Sequence, residues 1–372
     1  MCAVLGLPQH KVCVNCNRLG GGFGGKLVLA AVVAAISSLC AKKFGVPVMI
    51  QVDRNTDMRA VGGREEMAIN YEVSHGDDGK IDAVSVNTLV TGGHCVSLSW
   101  FANISVSQAC SEAYGFPHFN SVSKMVFTNK CPRSAVRGPG EIEASTLIET
   151  VIEHVAHATG KSAHEIREIN ILRHPGMEKM SLEEMSKQSI PDDPEKCGKI
   201  PGSGNPAIGF TIPKMWKMLE SKCNYASRSK AVADFNKKNF AKKRGIAMIP
   251  IRYGVNVWKK SALVSIFKDG TVIVKHGAMQ MGQGCNIKIA QCVADVLGSL
   301  LEESFPLDRI DFAAFDSHTL SSQTFTGGST GTFMFSQLIS PFFVCVYLIY
   351  NIYMKHVSLH DETRSPNMNI LI

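Results

Sequence analysis

The stretch Gly20-Gly21-Gly22-Phe23-Gly24-Gly25-Lys26 constrains this chain more than any other, because it holds five glycines in six positions with one aromatic between them. Backbone stripped of side chains can approach a ligand closely and take positive φ. Upstream, Val12 to Val14 reads as a short strand; downstream, the Ala/Val/Ile/Leu run Val28 to Lys43 reads as a helix closed by Gly45 and Pro47. The run is therefore expected to be a strand-to-helix turn, whose amides and macrodipole favour phosphate or another anionic group. Two familiar patterns match it in form: G-x-G-x-x-G at Gly20, Gly22 and Gly25, and G-x4-G-K at Gly20 and Gly25-Lys26. Leu27 stands where a phosphate loop needs Ser or Thr for Mg²⁺, and Asp53 lies beyond the spacing of about 20 residues at which a dinucleotide fold places its acid. Neither pattern holds in full, while Phe23 and the apolar helix argue against a merely flexible linker.

At 372 residues the chain suffices for two domains or one large one, and 45% hydrophobic with 19% charged residues is ordinary globular composition. Met1 to Pro8 has neither the basic region nor the apolar run of a signal peptide. Among twelve scattered cysteines only Cys13 and Cys16 form C-x-x-C, so a reduced cytoplasmic interior accounts for them better than disulfides, zinc or iron–sulfur clusters. The net charge of +7 is local: Lys214 to Lys260 contains 13 Lys/Arg against Glu220 and Asp234, hence +11, leaving −4 elsewhere. Within it, Asn236 to Arg244 is the one surface suited to nucleic acid; the competing reading is the solvated face of two amphipathic helices whose buried side is Trp216, Leu219, Val232 and Phe235.

In chain order, Pro47 to Asp53 reads as a strand followed by the polar turn Arg54 to Asp57. Met67 to Val73 and Ile81 to Val90 read as a hairpin turned by Asp77-Asp78-Gly79-Lys80. Residues 92 to 120 lack periodicity and read as an irregular loop, and Val122 to Thr128 reads as a strand. A second glycine loop, Arg137-Gly138-Pro139-Gly140, then feeds a helix running to Thr159. Ser162 with Glu165 is a capping box. His154, His157 and His164 match no zinc spacing and read as ordinary core or surface histidines. After the Pro/Gly-rich residues 175 to 210 come the basic helices, a strand from Arg244 to Ile251, and a hairpin of Ala262 to Phe267 with Thr271 to His276. A third glycine loop, Gly277 to Gly284, precedes a helix from Cys285 to Leu297; Arg309 to Phe315 is a last strand and Thr324 to Thr332 a Gly/Ser/Thr loop. Repeated glycine loops at helix starts suggest one shared ligand cradle.

Taken together, Gly20 to Lys26, Ala135 to Glu141, Lys243 to Pro250 and Lys268 to Gly284 resemble the molybdenum-cofactor region of the xanthine dehydrogenase and aldehyde oxidase family, with the plant aldehyde oxidases nearest; the resemblance covers roughly residues 3 to 330. It implies an α/β (α+β) fold with two molybdopterin-binding subdomains of mixed sheets and helices, at residues 1–174 and 211–332, joined by the linker 175–210. The implied cofactor is a molybdenum-pyranopterin, its oxygens and phosphate met by main-chain amides, in agreement with the anion cradle. By motif position, Gly21, Gly22, Phe23 and Gly24 form one wall, with Phe23 beside the metal's oxo ligand; Arg137 and Gly138 lie across the centre; Gly282, Gln283 and Gly284 bind the cofactor, Gln283 through its amide; Gly328, Ser329 and Thr330 add backbone and hydroxyl contacts. The implied reaction oxidises an aldehyde to a carboxylic acid with oxygen from water, electrons leaving through [2Fe-2S] clusters and FAD to dioxygen.

Departures from the family pattern guide the substrate expectation. The purine-oxidising branch has an acid directly after the loop lysine and a pair of phenylalanines around its substrate; here the matching positions are Leu27, Pro139 and Val257, an apolar pocket suited to aldehydes. The family's iron–sulfur and FAD domains and its glutamate base are not found in these residues, so the sequence offers no catalytic residue of its own. The family is homodimeric and acts on small molecules; no nucleic acid is expected. Residues 333–372 resemble no part of it. Their apolar stretch Leu338 to Met354, interrupted by Pro341 and Asn351, sits at the short edge for a membrane span and reads more readily as an appended tail. The alternatives are an inactive cofactor-binding remnant and, more distantly, a basic nucleic-acid-binding or membrane-tethered protein.

Overall fold

The computed structural model describes residues 1–16, 19–28, 30–95, 97–111, 113–188, 210–254, 261–320, 325–332 and 334. In chain order these form α1 (Cys2–Leu5), β1 (Asn15–Cys16), α2 (Ala30–Phe44), α3 (Arg54–Val61), β2 (Met67–His75), β3 (Ile81–Gly93), α4 (Ser99–Ala109), β4 (His118–Phe127), α5 (Glu141–Thr159), α6 (Ala163–Asn170), α7 (Leu182–Ser186), α8 (Ile212–Lys222), α9 (Tyr225–Lys238), β5 (Ala262–Ile266), β6 (Val272–His276), α10 (Cys285–Leu301), β7 (Ile310–Phe312) and β8 (Phe315–Asp316). The mixed α and β class expected from sequence is the class observed. Two compact units divide the chain: one holds residues 64–253, the other residues 1–63 together with those from 254 onward.

The unit of residues 64–253 is built on the sheet β2-β3-β4. β2 and β3 pair antiparallel, Met67 opposite Val90 and Val73 opposite Val84, through the expected turn. β4 then returns parallel to β3, with Val84 opposite Phe119. Parallel pairing requires a crossover, and α4 supplies it. Period-two burial on β3 turns Val84, Val86 and Val90, joined by Ile81 beyond a register shift, onto Val106 of α4, Val151, Ile152 and Val155 of α5, and Ile166 of α6. Each such side chain contributes about 1.5–3 kcal/mol when fully buried. A polar lock closes the end of this core. Asn170, with no exposed surface, accepts from Ile81 N at 2.9 Å and donates Nδ2 to the carbonyls of Gly79 and Ile166, both at 2.9 Å. Gly79 has φ +86°, and a Cβ there would lie 2.3 Å from Ile166 Cδ1, so both conformation and space demand glycine.

The unit of residues 1–63 and 254 onward repeats this scheme in shorter form. β5 and β6 make the expected hairpin, Val264 opposite Val274; β7 lies parallel to β6, Val274 opposite Phe312; α10 is the crossover. Ile289, Ala290, Val293 and Leu297 of α10 pack on Val264, Val272, Val274 and Ile310. A two-stranded ribbon ties in the N-terminal segment, with Asn15 opposite Asp316 and Cys16 opposite Phe315. Val14 N donates to Ser317 Oγ at 2.9 Å, and Lys275 of β6 is ion-paired to Asp316, whose carboxyl the ammonium holds well below the usual carboxylate range.

Several local expectations change. The first strand falls at Asn15–Cys16 instead of residues 12–14. Pro47 to Asp53 is not a strand among the described residues, and the polar turn after it is α3: Asp53 Oδ1 accepts from the amides of Asn55 (3.0 Å) and Thr56 (3.1 Å), a helix N-cap. Residues 99–109 are helical where an irregular loop is expected, because the buried face of α4 is written in Ser99, Ala102, Ser105 and Val106, small and half-polar residues that give no apolar period. Residues 244–251 carry no strand. On α8, Trp216 is buried as expected, whereas Leu219 is 51% exposed. The capping box of α6 is present, Ser162 N donating to Glu165 Oε2 at 2.9 Å. Within the Pro/Gly-rich stretch, Ser181 caps α7, which buries Leu182 and Met185; residues 189–209, and the tail 335–372 with its apolar stretch, lie outside the described residues. No helix among those described is long and apolar enough to cross a membrane.

Candidate functional site

In the unit formed by residues 1–63 and 254 onward, glycine loops from distant parts of the chain converge. The turn 20–26 follows β1, and the β1–β8 ribbon holds it to the segment beyond β7. The loop 277–284 leaves the C-terminal end of β6, the end of a parallel strand at which ligands bind in open sheets. A Cβ added to Gly22 would meet Met281 Sδ at 3.5 Å, so the two loops are neighbours and the glycine lets them be so. The third loop joins through Thr326, whose Oγ1 accepts from Met279 N at 2.9 Å. Thr330 is buried and donates Oγ1 to Gly327 O at 3.2 Å, while Gly328 and Ser329 take φ of 62° and 55°.

The side chains in these loops brace backbone. Gln283 closes its own loop, Oε1 accepting from Met281 N at 2.6 Å and Nε2 donating to Met279 O at 2.7 Å, which leaves its second amide hydrogen to offer outward. Gly284 takes φ 76° and begins α10 without a side-chain cap of its own. Gly282 has φ 95° and only open space where a Cβ would stand. Gly21 and Gly24 also take positive φ, and Phe23, at φ 50°, is 65% exposed. Lys26 is ion-paired to Asp57 of α3, and Leu27 is half-exposed just beyond it. At the root of the loop, burial pushes the His276 imidazole below its ordinary value, and its Nδ1 accepts from Ala278 N at 3.2 Å, as a neutral ring does.

The fourth expected element, Arg137 to Gly140, belongs to the unit of residues 64–253 and is described within it. Arg64 holds this loop by its carbonyls: Nη2 donates to Arg137 O at 2.6 Å and Nη1 to Gly138 O at 3.2 Å. Glu143 completes the brace, receiving Arg64 Nη1 at 3.3 Å and Gly140 N at 3.0 Å. Gly140 lets the start of α5 press onto α4, since a Cβ there would lie 2.5 Å from Ala102 O. The Arg137 guanidinium is exposed and, among the described residues, has no carboxylate partner. Pro139 is half-buried in the same loop; Val257, the third expected pocket residue, lies outside the described residues.

Two features had no legible signal in sequence. Glu65, in the surface-like run Arg64-Glu65-Glu66, is 5% exposed with both carboxylate oxygens unpartnered; burial, reinforced by Glu143, pushes its carboxyl up to about 7. His164 of α6 meets Glu168 and, from α8, Glu220 in a group whose ligand atoms lie within 4.8 Å of one another. An ammonium already bridges those carboxylates, Lys217 Nζ reaching Glu168 Oε1 at 2.6 Å and Glu220 Oε2 at 2.9 Å, so the cluster is an internal ion-pair network. His154, expected to be an ordinary histidine, is hydrogen-bonded through Nδ1 to the Tyr71 hydroxyl.

The donor set of the converging loops fits the implied cofactor. It consists of backbone amides, glycine surfaces and the Thr326 hydroxyl, and none of residues 19–26, 277–284 and 325–330 is acidic. Such a set accepts an oxygen-rich anion without charge repulsion.

Comparison with known proteins agrees with this geometry. Two family models, each described as a molybdopterin cofactor-binding domain, match residues 1–171 and 218–339. The chain is 33% identical over 328 residues to aldehyde oxidase 4 of Arabidopsis thaliana, covering 88% of this chain and 23% of that protein. It is 34% identical over 307 residues to the xanthine dehydrogenase of Oryza sativa subsp. japonica, covering 81% and 21% respectively. It thus spans less than a quarter of the length of these curated relatives. The fold is shared with the aldehyde oxidoreductase of Desulfovibrio desulfuricans, at TM-score 0.68 and 20% identity over 88% of this chain and 33% of that one.

Proposed function

The chain belongs to the molybdopterin cofactor-binding domain family, and from that premise we propose that it forms the cofactor-holding part of an aldehyde-oxidising molybdenum hydroxylase. The observation that carries this reading is the convergence of the turn 20–26, the loop 277–284 and the loop 325–330 within one unit, through Gly22 against Met281 and Thr326 against Met279. Bound there, the molybdenum cofactor supplies the two-electron chemistry that converts an aldehyde and water to a carboxylic acid. Gly21, Gly22, Phe23 and Gly24 form a side-chain-poor wall; Gly282, Gln283, Gly284, Gly328, Ser329 and Thr330 present amides and hydroxyls; Arg137 and Gly138 act from the loop braced by Arg64. Phe23 and Arg137 are the residues assigned nearest the metal. The sequence stretches assigned to the two cofactor-binding domains are residues 1–174 and 211–332, with 175–210 as the linker, and each stretch contributes a loop, 20–26 and 277–284, to the converging unit.

An aldehyde substrate is favoured over a purine by Leu27 and Pro139, apolar residues at the positions this reading assigns to the pocket, with Val257 as the third. Electrons pass on through iron–sulfur and FAD groups not held by these residues. The protein acts as a cytoplasmic homodimer on small molecules, without nucleic acid. One observation favours a narrower reading, an inactive cofactor-binding remnant: no carboxylate stands in the converging loops to act as a base.

Molybdenum content tests the assignment. The purified chain is expected to carry molybdenum, and Gly22→Val/Gly24→Val to lose at least nine-tenths of it while keeping its circular dichroism spectrum. Equal metal in both removes the cradle. Aldehyde turnover with an electron-accepting dye separates the narrower reading: turnover by the chain alone would overturn it.

A further inference from the structure

The basic stretch noted in the sequence takes a defined shape that the cofactor site does not use. At the end of α9 the chain turns back on itself and is pinned. Asn236 Oδ1 accepts from Arg244 N at 2.8 Å, Asn236 Nδ2 donates to Arg244 O at 2.9 Å, and Lys243 Nζ donates to Asn236 O at 2.7 Å. Asn239 donates its amide N and its Nδ2 to Phe235 O, at 3.0 and 2.8 Å. The Arg244 guanidinium sits 3.8 Å over the Phe235 ring. These contacts close a short loop whose apex, Phe240, is 98% exposed. Lys237, Lys238, Lys242, Lys243 and Arg244 surround the apex, all exposed, and no acid lies between Lys237 and Arg244.

We propose that this loop is a docking site for an anionic lipid surface, Phe240 entering the headgroup boundary while the lysines face the phosphates. An aromatic held clear of the protein costs apolar exposure that the fold recovers nowhere among the described residues, whereas a headgroup boundary accepts such a ring. The surrounding cations match the negative potential of a cytoplasmic leaflet, and lysine stems reach past an apolar apex to the interface. Nucleic acid fits less well. The amides of Asn236 and Asn239, which would read base edges, are both engaged inside the loop, and a single aromatic apex offers no succession of stacking platforms.

The test uses the full chain and vesicles of phosphatidylcholine, with or without phosphatidylserine. Sedimentation is expected to show binding to the phosphatidylserine vesicles that salt reverses. Phe240→Ala lowers the partition coefficient about tenfold, and Lys238→Ala with Lys242→Ala, neither of which takes part in closing the loop, by a further tenfold or more, since each cation near such a surface contributes about fivefold. In Phe240→Trp the indole emission shifts to the blue on phosphatidylserine vesicles. All these positions are exposed, so unchanged thermal melts are expected of each variant. Equal binding to both vesicle types, as an apolar segment elsewhere would give, overturns the proposal, as does an unshifted Phe240→Trp emission. Tighter binding to a single-stranded RNA oligonucleotide through the same residues overturns it in favour of nucleic acid.

Discussion

Two sheets in this protein share one plan and differ in how they are covered. β2-β3-β4 and β5-β6-β7 each consist of a hairpin, a crossover helix and a third strand parallel to the second. The first has long strands packed against α4, α5 and α6. The second has strands of five, five and three residues packed against α10. Helices tell the same story: α5 buries Leu147, Ile148, Val151, Ile152 and Val155, whereas α2, an equally apolar run, has no buried residue. The difference teaches that the second unit spends its chain on glycine loops around a ligand position, and the first on a core.

The comparison is broken most directly by Ile152→Ala. It should cost about 4 kcal/mol in urea unfolding, against about 2 kcal/mol for Ile289→Ala in the thinner core, both side chains being fully buried. Equal costs would show that the thinner core is packed as tightly.

Opposite pH responses sharpen it next. Glu65 is held near 7 in the fold against 4.5 for a free carboxyl, so the folded state keeps a proton that the unfolded chain releases. Its contribution is fully present below 4.5 and lost as pH rises through 7, about 3 kcal/mol in all. Thermal melts from pH 5 to 8 should fall for the native chain, and Glu65→Gln should remove that slope. In the other unit the His276 imidazole is held below 6.5, so its contribution is present above that value and lost as pH falls. His276→Gln should flatten the acid limb.

Asn170→Ala should cost about 2 kcal/mol, because the Ile81 amide and Gly79 carbonyl lose a buried partner. Hydrogen exchange at Ile81 is the sensitive readout, and protection equal to the native chain would remove the polar lock. The smallest effect belongs to Ile36→Ala on α2. The residue is 48% exposed, so a change within about 0.5 kcal/mol is expected, and a larger loss would mean that this helix is covered in solution.

How much could be read beforehand follows from how local each signal is. Both hairpins were legible because period-two patterns flank Asp-Gly turns, and α5, α6 and α10 because their starts are marked by glycine or a capping box. α4 was not, since Ser99, Ala102 and Ser105 face inward only because the sheet beneath leaves room for small residues. α3 reads as a turn in sequence because an Asp that caps a helix and an Asp that opens a turn look alike until the next residues coil. Glu65 was invisible: nothing in Arg64-Glu65-Glu66 says which carboxylate is buried. The residues expected to meet the cofactor divide between the two units, with Arg137, Gly138 and Pro139 on one and the remaining described positions on the other.

By itself the sequence determined where backbone would be bare, where strands would alternate, and that its glycine loops carry no acid, because these properties belong to single residues and their near neighbours. Tertiary structure alone decided that Gly22 meets Met281, that Thr326 receives the Met279 amide, and that Gln283 turns its amide onto its own loop. The first of those contacts joins opposite ends of the chain, and it exists because β1 pairs with β8 and brings a glycine turn to the end of β6.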